Sequence, residues 1–104
     1  NTLVSQIIES TFPMGSMTGA PKIKSMKLID GFENVSRGIY SGSVGYFMPN
    51  GDFDFNVVIR SIIYDSNNEK LNLNIGSAIT YNSKAENEYD ECQLKAEAMI
   101  EALK

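Results

Sequence analysis

Apolar positions change their period along this chain, and each change marks an element. Leu3, Ile7 and Ile8 share one helical face and lead into Thr11, Phe12 and Pro13, so the first eleven residues read as the end of a helix already under way. This predicts a segment cut from something longer. After "FPMGSMTGAPK" (residues 12 to 22), Ile23, Met26, Ile29 and Phe32 recur near a helical period, with Lys22, Lys24 and Lys27 on the other face. The spacing predicts an amphipathic helix over residues 20 to 33, ended by the turn chemistry of Asn34, Ser36 and Gly38.

The period then changes to two. In "GIYSGSVGYFM", Tyr40, Val44, Tyr46 and Met48 alternate with Ser41, Ser43 and Gly45, which predicts a strand with one face of small residues. "PNGD" at 49 to 52 carries the Asn-Gly hairpin signal, and "FDFNVVIRSIIY" returns as a second strand with Phe53, Phe55, Val57 and Ile59 on one face. If Asn50 and Gly51 form a two-residue turn, Arg60 pairs opposite Ser41 on the face of small residues. "DSNNEK" at 65 to 70 predicts a second turn, "LNLNI" a third strand, and "GSAI" at 76 to 79 a break after it.

The last segment is helical again. Ser83 followed three residues later by Glu86 reads as a capping box, placing the helix start near residue 84. At the helical period, Tyr89, Cys92, Ala96, Met99 and Leu103 fall within an arc of roughly 80°, the predicted core face. Glu86, Asp90, Glu97 and Glu101 take the opposite side, whereas Glu88, Glu91 and Lys95 share a narrow arc on the flank of the apolar stripe.

Composition narrows the class. The chain has 104 residues, 42% of them hydrophobic, enough for one core, and the expected organisation is a single unit over 1–104. A net charge of −4 and nine scattered basic residues disfavour nucleic acid and anionic membranes as partners. No transmembrane run or leader pattern is present, which points to a soluble, cytoplasmic protein. Cys92 stands alone and there is no histidine, so usual zinc sites and Ser-His or Cys-His nucleophile pairs are absent; a metal here would be a hard ion on oxygen ligands, such as magnesium.

Three features carry candidate chemistry, and each has a plain alternative. Ser16 or Thr18 could cap the following helix, or the same loop could hold a carboxylate or phosphate. Arg60 could stand above a shallow binding floor or on a solvated sheet face. Glu91 and Lys95 are an i, i+4 pair of favourable order, a helix salt bridge or else a metal carboxylate with a cation beside it for an anionic ligand.

Taken in order, "FPMGSMTGAPK", "RGIYSGSVGYF", "GDFDFNVVIRS" and "EYDECQLKA" resemble the C-terminal part of chorismate-utilising enzymes, a family that includes aminodeoxychorismate synthase component I, anthranilate synthase component I, isochorismate synthases and salicylate synthases. The similarity covers nearly the whole chain. "GSMTGAPK" is nearer the "GSITGAPK" form typical of aminodeoxychorismate synthases than the "GTLSGAPK" form common in anthranilate synthases. The resemblance implies an α+β fold, an α/β/β/α layered domain with antiparallel sheets and helices outside, of which this chain is the C-terminal fragment. It implies that Ser16 lies against the substrate ring region, that Tyr40 and Arg60 contact a chorismate carboxylate, and that backbone N–H groups of Gly76, Ser77 and Ala78 receive a carboxylate. It further implies that Glu91 is a Mg2+ ligand, that Glu88 lies close to the metal, and that Lys95 faces the substrate as the catalytic cation.

The implied reaction is amination of chorismate at C4 for folate biosynthesis, with ammonia from a glutamine amidotransferase partner. The alternatives are anthranilate formation for tryptophan biosynthesis and a degenerate interaction module. Two departures from the family pattern stand out: Gly76-Ser77-Ala78 replaces the usual Gly-Ala-Gly, and Asn82 replaces the usual Asp before Ser83. Simple two-residue hairpin pairing also sets Tyr40 and Arg60 on opposite faces, so one ligand reaches both only if a bulge or a longer turn intervenes. The family's general acid/base residues and another metal-binding glutamate lie upstream, so the fragment alone is expected to be inactive and, with uncovered sheet edges and core face, to self-associate.

Overall fold

The structure, a computed structural model, describes residues 3 to 104. Its elements are helices α1 (Val4–Thr11), α2 (Gly15–Thr18), α3 (Lys22–Phe32) and α4 (Ala85–Glu101), and strands β1 (Ser43–Phe47), β2 (Phe53–Val57), β3 (Ile62–Asp65) and β4 (Lys70–Leu73). The strands form two antiparallel pairs, β1 with β2 and β3 with β4, so the architecture is α+β, as the changes of period predict. The chain divides into two compact units, one ending at Phe55 and the other running from Asn56 to Lys104. Among the described residues no helix is long and apolar enough to cross a membrane.

In the first unit, α1 begins where the Gln6 side-chain oxygen accepts from the Leu3 N–H at 3.1 Å, and the Phe12 N–H closes it onto Ile8 O. The first two residues of the helix predicted here lie outside the described residues. α3 occupies the predicted span, but neither Ser16 nor Thr18 caps it. Both belong to α2, a single turn of its own; the Thr18 hydroxyl donates back to Met14 O at 3.1 Å, and α3 starts from Pro21 with no side-chain cap. Proline suits this position because its missing N–H has no intrahelical partner to lose.

The predicted strand from Gly38 to Met48 forms only over its second half. Gly38 and Ser41 take positive φ (58° and 64°), the Tyr40 N–H bonds Arg37 O at 3.1 Å and the Gly42 N–H bonds Ile39 O at 3.0 Å, so Tyr40 sits in a turn. The hairpin loop also has three residues where two were expected. Gly51 N–H donates to Met48 O at 3.0 Å, Met48 N–H donates to Asp52 O at 2.7 Å, and Gly51 has φ 96°. This is a type I turn with a left-handed glycine after it, the geometry that Pro-Asn-Gly favours. Asn50 braces it, accepting from the Asp52 N–H at 3.1 Å and donating to the Asp52 carboxylate at 2.7 Å.

The extra loop residue shifts the register by one. Gly45 therefore lies against Phe55, and a Cβ there would be 2.2 Å from Asp54 O and 2.5 Å from the Phe55 ring. The ring fills the space a side chain would need. Phe47 meets Phe55 edge-on at 5.1 Å and Phe53 at 6.0 Å between centroids, which builds an aromatic cluster on this face.

In the second unit, β3 and β4 pair in the register Ile62↔Leu73 to Asp65↔Lys70. The loop closes on Asp65, whose carboxylate accepts from the Asn67 N–H at 2.9 Å and from the Asn68 side-chain amide at 2.7 Å. Both hydrogen bonds favour the ionised form and hold this carboxyl below its usual range, the Asn68 bond most. The long strand predicted over residues 53 to 64 is broken between Val57 and Ile62. Ile59 N–H turns back to Val57 O at 3.0 Å and Arg60 takes φ 49°, so Arg60 does not pair with Ser41. Beside that break, Val58 is the one buried hydrophobic among the described residues, 8% exposed.

Candidate functional site

The second unit brings several predicted positions together along one face of α4. Glu88, Cys92, Lys95, Ala96 and Met99 are its half-buried residues, at the i, i+4, i+7, i+8 and i+11 spacing of a single stripe. This covered stripe is rotated from the expected apolar one. It takes in Glu88 and Lys95 and leaves Tyr89 and Leu103 exposed, so two residues on the flank of the predicted face lie within the observed one.

The loop after β4 supplies the partners. Lys95 Nζ donates to Gly76 O at 3.3 Å and forms an ion pair with Glu91 at 2.5 Å, while the Ser77 hydroxyl donates to the Glu88 carboxylate. A polar cluster of Gly76, Ser77, Glu88, Glu91 and Lys95 results. Glu88 is held below the usual carboxylate range, first by the Ser77 hydrogen bond, then by Ser83, with the positive charge of Lys95 adding to both. Although Glu88 is half-covered by area, the desolvation that would raise it ranks below these hydrogen bonds, because the carboxylate itself stays in contact with solvent.

Ser83 does not form the expected capping box. Its Oγ accepts from the Thr80 N–H at 3.0 Å and reaches Ala78 O at 3.4 Å, tightening the loop ahead of the helix, and α4 starts from Lys84 without a side-chain cap. Glu86 and Glu88 in the first turn favour that helix end through the macrodipole. Ala78 is exposed, and Arg60 enters no hydrogen bond or ion pair among the described residues.

Ser16 and Tyr40 belong to the first unit. Ser16 is exposed on α2, and Tyr40 is half-buried in the turn before β1. Between them stands a residue that the motif reading passes over. Arg37 Nε donates to Glu33 at 2.7 Å and Nη2 donates to the other oxygen of the same carboxylate, while Nη1 donates to Ser41 Oγ at 3.1 Å and to Met17 O at 3.4 Å. The Arg37 Cζ lies 5.8 Å from the Tyr40 ring centroid. The Arg37 hydrogen bond draws Glu33 below the usual carboxylate range, and the same bond raises Arg37. Arg37 also borders a cavity of about 700 Å³ within this unit, with Pro13, Thr18, Met26 and Ile29 on its walls. The i, i+4 spacing of Glu33 and Arg37 was visible in the sequence. It straddles the end of α3, where no helical period marks it.

Residues 1–101 match the model of the chorismate binding enzyme family, and the chain belongs to that family. It is 45% identical over 98 residues to aminodeoxychorismate synthase, chloroplastic, of Arabidopsis thaliana, covering 94% of this chain and 10% of that protein. Over 91 residues it is 48% identical to the probable aminodeoxychorismate synthase, chloroplastic, of Oryza sativa subsp. japonica, covering 88% and 10%. Anthranilate synthase component 1 of Acinetobacter calcoaceticus is 39% identical over 97 residues, covering 93% and 19%. The chain thus spans a tenth to a fifth of the length of these relatives.

Proposed function

We propose that this chain is the chorismate-binding part of component I of an aminodeoxychorismate synthase, in which ammonia replaces the C4 hydroxyl of chorismate for folate biosynthesis. The convergence of Gly76 O and the Ser77 hydroxyl with Glu88, Glu91 and Lys95 carries the reading: it sets a cation for an anionic substrate beside two carboxylates for a hard metal ion. The aminodeoxychorismate synthases of the two plants, at 45% and 48% identity, favour this activity over others in the family. Both plant relatives are chloroplastic by name.

In this reading Lys95, already oriented by Glu91 and Gly76 O, presents its ammonium group to the anionic substrate. Tyr40, Arg60 and the N–H groups of Gly76, Ser77 and Ala78 would contact substrate carboxylate and Ser16 the ring, the roles that the family resemblance implies. Overall one C–N bond forms at C4 and one C–O bond breaks, so chorismate and ammonia give aminodeoxychorismate and water. Glu88 and Glu91 stand one turn apart on α4, and among the described residues no third His, Cys, Asp or Glu joins them in a metal-binding group. Two carboxylates suit Mg2+, which keeps water ligands and takes the rest from a substrate. When bound, the ion would neutralise the ring carboxylate of chorismate. Ammonia would come from a glutamine amidotransferase partner, and the 104 residues alone would be inactive.

A second reading, anthranilate synthase component I, rests on the 39% identity to the Acinetobacter calcoaceticus protein. Incubating the full-length protein with chorismate, Mg2+ and ammonium, with product analysis by mass spectrometry, separates the two. Aminodeoxychorismate supports the proposal, anthranilate with pyruvate supports the second reading, and no product removes both.

A further inference from the structure

We infer that Arg37 is a positioning residue that fixes the Ser16 turn and the Tyr40 turn as one surface for the substrate, an inference that rests on the chorismate reading above. The guanidinium has five donors in one plane, and its three nitrogens here serve three segments. Nε and Nη2 fork onto Glu33, at the C-terminal end of α3. Nη1 bonds Met17 O in α2, one residue beyond Ser16, and Ser41 Oγ, one residue beyond Tyr40. Its Cζ lies over the Tyr40 ring.

Charge and strain both point to positioning. Glu33 already matches the Arg37 charge, so the group is committed to a carboxylate of its own chain instead of one on a ligand. Ser41 holds a positive φ of 64°, uncommon for a residue with a side chain, and such a conformation persists where neighbours over-determine it. The Nη1 bond to Ser41 Oγ is one such constraint, and it acts on the residue that follows Tyr40 in the same turn. A lysine ammonium puts all its donors at one point and cannot reach Glu33, Met17 O and Ser41 Oγ together.

The test uses the full-length protein with ammonium as nitrogen source, and reads KM for chorismate, kcat and thermal midpoint for wild type, R37A and R37K. The expected result is a KM raised roughly tenfold in R37A, with kcat changed by less than about threefold, because ground-state positioning is lost. R37K should stay near R37A, since charge alone does not restore the fork. A folded R37A with a lowered midpoint and wild-type KM, or full rescue by R37K, overturns the inference. Should R37A not fold, S41A decides: a KM rise of about threefold supports the role and an unchanged KM overturns it. If wild type consumes no chorismate, the functional reading and this inference fall together, whereas activity with unchanged KM in the variants removes only the role of Arg37.

Discussion

The Ser77 hydroxyl donates to the Glu88 carboxylate across eleven residues of chain, and this bond ties the loop after β4 to the first turn of α4. Lys95 makes the matching tie from two turns further on, through Gly76 O. The loop that takes the place of the family's usual Gly-Ala-Gly is therefore held from both sides. Ser77, one of the departures from that pattern, gains a partner that an alanine at the same position would lack.

Removing that partner should change how Glu88 titrates. Its pKa is lowered chiefly by Ser77, so Ser77→Ala should move it back up toward the ordinary carboxylate value, with Ser83 and Lys95 keeping part of the shift. A group whose folded pKa is depressed contributes stability above its unfolded pKa and loses it as pH falls through the folded value. The Ser77→Ala protein should thus lose less stability than wild type on acidification through that window. NMR titration of the Glu88 side-chain carbon in both proteins checks this; identical midpoints would mean that the hydrogen bond does not form in solution.

Glu33 follows the same sign. Arg37 lowers it, so the stabilisation is present above the usual carboxylate range and fades as pH falls through the lowered value. The pair is partly exposed, so Glu33→Gln should cost no more than about 0.5 to 1 kcal/mol near neutral pH, and less in acid. Denaturant unfolding at neutral and acidic pH measures the difference; an equal loss at both would assign the effect to packing and not to charge.

Gly45 offers a steric test. A methyl group there would stand 2.2 Å from Asp54 O, which is backbone and cannot swing aside, and 2.5 Å from the Phe55 ring. Gly45→Ala should destabilise the protein by about 1 to 3 kcal/mol, the range for a forced overpacking. Gly15, with nothing within 4 Å of an added Cβ, is the control, and Gly15→Ala should leave stability within about 0.5 kcal/mol of wild type. Thermal melts of the two variants that coincide would contradict the close approach of β1 and β2.

Much of this arrangement is legible in the sequence, and the losses have physical causes. Helical periods place α3 and α4 within a residue or two, because an amphipathic stripe repeats over several turns and tolerates local error. Turn length is less forgiving. Asn50-Gly51 marks a hairpin, but Pro49 ahead of it selects a type I turn with a third loop residue, and one residue resets the whole register. The break at Arg60 has no glycine or asparagine to announce it, and alternation alone carries β2 straight into β3. Ser83 and Glu86 have capping-box spacing, yet the Ser83 hydroxyl meets the Thr80 N–H first. At the site, spacing puts Glu88, Glu91 and Lys95 in one arc, whereas their loop partners depend on tertiary packing that one sequence does not encode in any short pattern.

The distribution of apolar surface leads to the last prediction. Ile23, Phe32 and Val35 are 72%, 79% and 79% exposed, although the first two lie on the apolar side of an amphipathic helix, and Val58 alone is buried among hydrophobic described residues. Helices with such a stripe gain stability by covering it, and a soluble monomer rarely exposes so much of it. The strand pairs are two-stranded and leave edges with unpaired N–H and C=O groups. The 104 residues expressed alone should therefore associate. Light scattering coupled to size exclusion at several concentrations would show mass rising with concentration, and Ile23→Lys with Phe32→Lys should reduce it. A monodisperse species of 11.5 kDa at every concentration would show that these faces need no cover.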